Sequence, residues 1–430
     1  MSCRIFRVLT ILLLACGVLL AQAPEKSRLS YKLLSIQVKG LQRFTADQVI
    51  STSGLKIGEM AGDPEFQQAA QKLGETGLFS QLTYTYKYST AGCDLELQVA
   101  ENQKLVPVIF DNFVWFSDQE LIGWIHSRLP LFDGRVPGGG NFTDQVAQAL
   151  ASVLKEHKIP GEIEGLPFAS QNGPIEAYEY KVGFHPIVIR NVDFPGAAPD
   201  DVPLLQAAAK SFAGEDYLRT RLRAQERLDL LPVYHARGYL KAQFADAQAR
   251  VAQEGAQTVV DVSFPVNRGV QYKLADLQFA GNTAFPADRL RGLIHLKPGK
   301  PANSVELGDD LDQIHKLYGT KGYLFAHVEP LPTMDDSGAT VSYQLKISEN
   351  DLYRMGELTF DGVPQENASR MAAQWQMKKG DPFDDTYVLR FFGILYRDFG
   401  LKSSYDVAQK ENINRQDKTV SVSLHFVPKS

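Results

Sequence analysis

Histidine is the side chain best suited to proton transfer near neutral pH, and the chain holds eight: His126, His157, His185, His235, His295, His315, His327 and His425. They are scattered, no two stand at zinc-binding spacing on a helix with a carboxylate between them, and no serine sits in a nucleophile elbow. Asp309, Asp310 and Asp312 cluster where a helix is expected to start, so they read as a solvated helix end that favours the dipole. Pro137-Gly-Gly-Gly140 lacks the Lys-Ser/Thr of a phosphate loop and reads as a flexible connector. Asn141-Phe-Thr and Asn367-Ala-Ser match glycosylation sequons, a pattern too common to be informative. These residue types point away from catalysis, and no cofactor or metal is expected.

Composition narrows the classes further. The chain is 44% hydrophobic and 22% charged, near the globular average and unlike a disordered protein. A net charge of −5 argues against nucleic acid as a partner. Arg4 and Arg7, the apolar run from Val8 to Leu20, and the small residues after it predict a signal peptide over residues 1–21, cut after Ala21 or Ala23. The run falls short of the roughly 20 residues of a spanning helix. Leu13-Leu-Ala-Cys16 also loosely resembles a lipobox, although the apolar run continues past it to Leu20. Cys3 and Cys16 fall in this leader, which leaves Cys93 without a disulfide partner, so hydrophobic packing must hold the fold. No later run reaches membrane length, and a periplasmic location, at most peripheral to the outer membrane, is expected.

The elements repeat. A glycine stops a helix and starts a strand at Gly77-Leu-Phe, Gly238-Tyr-Leu, Gly322-Tyr-Leu and Gly400-Leu-Lys. The first gap is about twice the others, which places the end of a degenerate copy at His157-Lys-Ile-Pro-Gly161. Before these ends lie Ala69 and Leu73, Leu150 and Leu154, Leu230 and Tyr234, Ile314 and Tyr318, and Phe392 and Tyr396, each pair at the i, i+4 spacing of a buried helix face. A shorter helix and a strand precede each such helix, a loop of the type Leu296-Lys-Pro-Gly-Lys-Pro joins the two helices, and two alternating strands follow. The chain is thus expected to be α+β, with five tandem two-layer β-α-α-β-β modules, each a three-stranded sheet covered by two helices. Their expected bounds are 30–102, 103–185 (degenerate), 186–269, 270–350 and 351–428, with short linkers that few contacts cross.

This order of motifs resembles POTRA (polypeptide-transport-associated) domains, most clearly where Leu277-Gln-Phe-Ala-Gly-Asn282, Leu296 to Pro301 and Gly322-Tyr-Leu324 stand at family-like spacing. The tandem arrangement is similar to the periplasmic part of the BamA family of outer-membrane protein assembly factors, without a barrel after Ser430. The resemblance implies a non-catalytic scaffold that binds polypeptide by strand addition to exposed sheet edges. Its partners would be unfolded or nascent outer-membrane proteins or barrel-assembly subunits. In the family, the strand after the second helix lies at an edge, which points to Leu82, Tyr84, Tyr86 and Tyr88 within Phe79 to Tyr88, and to Leu240, Lys241, Gln243 and Phe244 within Leu240 to Arg250. The four alternating residues of the first strand serve equally well as its helix-facing side. The alternative is an envelope or cell-division scaffold that binds one fixed partner; an enzyme ranks third.

Overall fold

The computed structural model describes residues 30–169, 173–253, 255–399 and 404–429. The expected leader and Gly400 lie outside them. The chain divides into two compact units, one ending at Pro186 and the other starting at Ile187.

In the first unit, β1 (Tyr31–Lys39), α1 (Ala46–Ser53), β2 (Met60–Ala61) and α2 (Asp63–Glu75) lead into a hairpin of β3 (Phe79–Ser89) and β4 (Gly92–Glu101). The sheet order is β2-β1-β4-β3. Strand β4 runs parallel to β1 and antiparallel to β3. Its alternation buries Cys93, Leu95, Leu97 and Val99 on one face, and α2 contributes Phe66, Ala69 and Leu73 to the same core. The pattern then recurs with β5 (Leu105–Phe110), α3 (Asp118–Arg128), β6 (Arg135–Pro137), α4 (Phe142–Glu156), β7 (Glu162–Ala169) and β8 (Ile175–Gly183), in the order β6-β5-β8-β7. Both sheets have a fourth strand where three were expected, because the loop between the helices pairs with the start of the first strand.

The second unit opens with β9 (Ile187–Asp193) and α5 (Val202–Ala208). A longer helical stretch follows: α6 (Arg219–Gln225), a π turn over Glu226–Leu230, and α7 (Leu231–His235). Pro232 lacks the amide that an α-helix would use there, and the π turn accommodates that loss. Strands β10 (Gln243–Phe244), β11 (Gln248–Gln253), β12 (Thr258–Ser263) and β13 (Val266–Asn267) give a sheet β11-β12-β9 and a short ladder β10-β13. Next come β14 (Lys273–Ala280), α8 (Ala287–Arg291), α9 (Ser304–Gly319), β15 (His327–Asp335) and β16 (Thr340–Ser348), in the order β14-β16-β15. Last are β17 (Arg354–Asp361), α10 (Gln365–Gln374), α11 (Tyr387–Asp398), β18 (Tyr405–Asn414) and β19 (Thr419–Pro428), in the order β17-β19-β18.

The loop between the helices is built alike in four places. Gly58, Gly214, Gly299 and Gly380 donate their amides to the carbonyls of Leu33, Ile189, Leu274 and Met355, at 2.7 to 2.8 Å. The helix stop recurs too: Gly77, Gly238 and Gly322 have φ of 74°, 81° and 85°, and Lys158 fills the corresponding place with φ 57°.

Four expectations need correction. One buried cluster runs from Leu33 through Val182, so the first two sheets share a core across the linker that few contacts were expected to cross. In α11 the buried pair is Phe391 and Leu395, while Tyr396 is 37% exposed. Adjacent apolar pairs on that helix share the same spacing, so periodicity alone could not choose between them. Asp310 is buried inside α9, where it accepts from the His295 amide at 2.8 Å and pairs with His295 Nδ1 at 2.5 Å. Pro137-Gly-Gly-Gly140 is no loose connector, since Pro137 belongs to β6 and a Cβ on Gly140 would lie 2.7 Å from the Gly77 amide nitrogen.

Candidate functional site: open strand edges and the joints beside them

Five of the six sheets have at an edge a strand that follows the helices, β3, β7, β11, β15 and β18, with the short β10 intervening before β11. An edge strand leaves half of its amides and carbonyls without a ladder partner, but prolines can blunt it. Strand β15 carries Pro330 and Pro332, and β7 carries Pro167, whereas β3, β11 and β18 have no proline before their last residue.

Strand β3 is the longest open edge, at 11 residues. Its hairpin closes with Ser89 opposite Gly92 around Thr90 and Ala91. The closing pair of a two-residue hairpin exchanges hydrogen bonds, and bonded pairs alternate from there, so Lys87, Thr85 and Thr83 face β4. Tyr88, Tyr86, Tyr84 and Leu82 therefore turn their main-chain groups outward. Their side chains do something else. Leu82, Tyr84 and Tyr86 pack on the core, with Tyr84 and Tyr86 ring centroids 6.2 and 5.1 Å from Phe66. Tyr84 Oη donates to Asp63 Oδ1 at 3.0 Å, and burial together with that carboxylate raises its pKa. Tyr88 stacks on Tyr31 yet stays 66% exposed. The side chains are thus the inner face of the strand, and what these four residues present at the edge is backbone.

The segment Leu240 to Arg250 is not one strand. Leu240 and Lys241 lie in a turn, and β10 and β11 are separated by residues 245–247. Ala245 donates to the Pro265 carbonyl at 2.8 Å, which puts Ala245 and Gln243 toward β13 and leaves the Phe244 main chain facing out. Phe244 packs its ring 6.0 Å from Tyr234 and 6.2 Å from Phe264. A groove of about 480 Å³ lies alongside, lined by Pro195, Gln243, Phe244, Ala245, Pro265, Val266 and Asn267.

Leu240 and Lys241 serve a joint. The Tyr272 amide donates to the Gly238 carbonyl at 2.8 Å, and a Cβ on Gly238 would lie 2.6 Å from the Tyr272 oxygen. Tyr239 turns back edge-on to Tyr234 of its own helix, while Leu240 packs on the next core, which holds Tyr272, Leu274 and Ile314. Lys241 Nζ reaches both Asp336 oxygens at 2.6 and 2.7 Å, and Tyr272 Oη donates to Asp336 at 2.7 Å. Those contacts raise the Lys241 pKa and lower that of Asp336. The arrangement repeats at the next joint, where Tyr353 donates to Gly322 at 2.7 Å, Tyr323 packs on Tyr318, and Leu324 packs on the core of Tyr353, Met355 and Phe383. At Gly77, the Gly139 carbonyl lies 2.1 Å from where a Cβ would sit, and Asn102 donates to the Gly77 carbonyl at 2.9 Å. Sequence reasoning missed Asp336 and Tyr272, because no spacing rule links Lys241 to a hairpin so far along the chain.

Residues 272–350 match the family model described as "POTRA: Surface antigen variable number repeat". That segment is similar to POTRA domains. It holds β14, α8, α9, β15 and β16, with the joint residues Tyr272 and Gly322 near its ends. Among curated proteins, the chain is 22% identical over 185 residues, 40% of its length, to a Treponema pallidum (strain Nichols) protein provisionally named an outer membrane protein assembly factor. It is 20% identical over 212 residues, 45% of its length, to outer membrane protein assembly factor BamA of Neisseria meningitidis serogroup B (strain ATCC BAA-335 / MC58). The chain spans 22% and 26% of the length of these two relatives. Among solved structures, BamA POTRA domains 3 to 5 of Haemophilus influenzae match at 19% identity and a TM-score of 0.44, covering 57% of this chain and 97% of that one. POTRA domain 4 of the same protein matches at 24% identity and a TM-score of 0.18, covering 19% of this chain and 94% of that one. Among the described residues no helix is long and apolar enough to cross a membrane.

Proposed function

We propose that this chain is a non-catalytic periplasmic scaffold of outer-membrane protein assembly that holds extended polypeptide by strand addition. It would comprise five POTRA-like modules, at 30–102, 103–185, 186–269, 270–350 and 351–428. The observation that carries this reading is β3, an 11-residue, proline-free edge that turns the backbone of Leu82, Tyr84, Tyr86 and Tyr88 outward. The Phe244 edge with its groove is a second contact. The names of the two curated relatives support the assembly role. Nascent outer-membrane proteins are suitable clients, because their strands alternate and offer a full main-chain ladder.

Magnitude fits a transient grip. Four outward residues allow about four to six new hydrogen bonds at roughly 1 kcal/mol net each, and association costs of at least about 4 kcal/mol leave the complex weak. A client held this way can be passed on.

Tyr88 offers the cleanest test, since its amide faces out and its ring is largely exposed. Binding of an extended peptide from an outer-membrane strand should fall about fivefold or more in Tyr88→Pro, which removes an outward donor, and change little in Tyr88→Ala. Circular dichroism must show both variants folded. Equal binding by the two folded variants would refute strand addition at β3.

A further inference from the structure

The loop before α11 lies across the C-terminal end of α9. The Asp385 amide donates to the Gly319 carbonyl at 3.4 Å, and the Asp385 carboxylate covers Gly319 so closely that a Cβ there would lie 2.2 Å from Oδ2. Oδ1 is fully shielded and has no hydrogen-bond partner among the described residues. The C-terminal end of a helix is the negative pole of its dipole, so a carboxylate buried against it is repelled, whereas the neutral acid is not.

The surrounding charges do not relieve this. Asp384 precedes Asp385 in the same loop and is bound to Arg390 of α11 at 2.5 Å. Glu411 of β18 adds another carboxylate, and His315 of α9 is the opposing basic group. Burial and then Asp384 push the Asp385 carboxyl above its usual range, against the pull of His315 and of nearby backbone amides. Burial and Asp385 push Glu411 up in turn.

We propose that Asp385 is a proton-operated latch: its protonated carboxyl tightens the docking of the 351–428 segment on the end of α9, and its ionisation loosens that docking. The sign follows from linkage. An acid raised in the docked state holds its proton more tightly there than when undocked. Docking is therefore favoured at low pH and weakens as the pH climbs from the ordinary carboxylate range through the raised value.

Hydrogen–deuterium exchange on the full chain tests this against Asp385→Asn, which keeps the shape without the charge. The ratio of native to variant exchange rates, taken from about pH 4 to about pH 7.5, cancels the intrinsic pH dependence of exchange. It is read at the amides of Tyr353 and Phe383, which donate to Gly322 and Tyr353. The ratio should be near one at the acidic end and rise several-fold toward neutral pH. The Tyr272 amide, at the preceding joint, should show no such rise. A ratio at Tyr353 and Phe383 that does not change with pH, whatever its value, or one that rises toward acid, overturns the latch.

Discussion

The amide of Tyr272 donates to the carbonyl of Gly238 over 2.8 Å, and Tyr353 repeats this with Gly322 over 2.7 Å. In each case the glycine that ends one helix anchors the chain just ahead of the next sheet. A short linker is thereby turned into a bonded joint, and the lack of a Cβ is what lets the two backbones approach.

Replacing Gly238 tests that joint. Ala at φ 81° costs about 1–2 kcal/mol in backbone strain, and its Cβ would clash with the Tyr272 carbonyl. Gly238→Ala should lower stability in urea by more than about 2 kcal/mol and speed protease cleavage between Asn267 and Gln271. Lys158→Gly relieves a left-handed non-glycine residue and should gain up to about 1 kcal/mol.

Lys241 provides a contrast. Its charge is engaged by Asp336, and both groups are largely exposed. Lys241→Gln should cost less than about 1 kcal/mol and leave peptide affinity unchanged in titration calorimetry. A large loss of affinity would show that this lysine contacts client after all.

Glu101 gives a pH dependence. Its carboxylate accepts from the amides of Gln42, Arg43 and Phe44 at 2.8 to 3.1 Å. Burial alone would raise its pKa, but these amides and the Arg43 charge overcome burial and hold it below the usual range. A depressed carboxyl stabilises the fold above the unfolded-state pKa, and that contribution is lost as pH falls through the folded value. Glu101→Gln should cost about 1–3 kcal/mol near neutral pH in urea unfolding, with the gap to the native chain closing on acidification.

Prolines protect β15. Pro330 and Pro332 withhold two donors two residues apart along an edge strand, where pairing with another chain would otherwise start. The double substitution Pro330→Thr and Pro332→Thr should introduce self-association, visible as a concentration-dependent species in sedimentation velocity. The native chain should show less of it.

How much of this is legible in the sequence depends on the range of the interaction. The helix stops at Gly77, Gly238 and Gly322 follow from local backbone preference, and the alternation of β3 follows from its period, so both could be read directly. The ends of that segment's neighbour could not. Leu240 and Lys241 continue an alternating pattern, yet packing on the next core and pairing with Asp336 hold them in a turn. The direction of the Gln243 and Phe244 main chains depends on register with Val266 and Asn267, and register is set by the partner strand. Asp310 misled for a similar reason, since its partner His295 stands in the preceding loop and lets a carboxylate sit inside a helix.

The Gly-Tyr-Leu triplet also bears on where this chain can be cut. Leu240 belongs by sequence to one repeat and by packing to the next, and Leu324 does the same. The stretch that is copied and the stretch that folds as a body are thus out of step. A fragment starting at residue 270 would keep the whole POTRA match but leave the socket around Tyr272 and Ile314 without its plug. A fragment ending just short of it would keep Leu240 with nothing to plug into. Truncation or recombination at the sequence boundary therefore exposes apolar surface on both products, and a cut just before Gly238 keeps the plug with its socket only by separating β9 from its ladder partner β12.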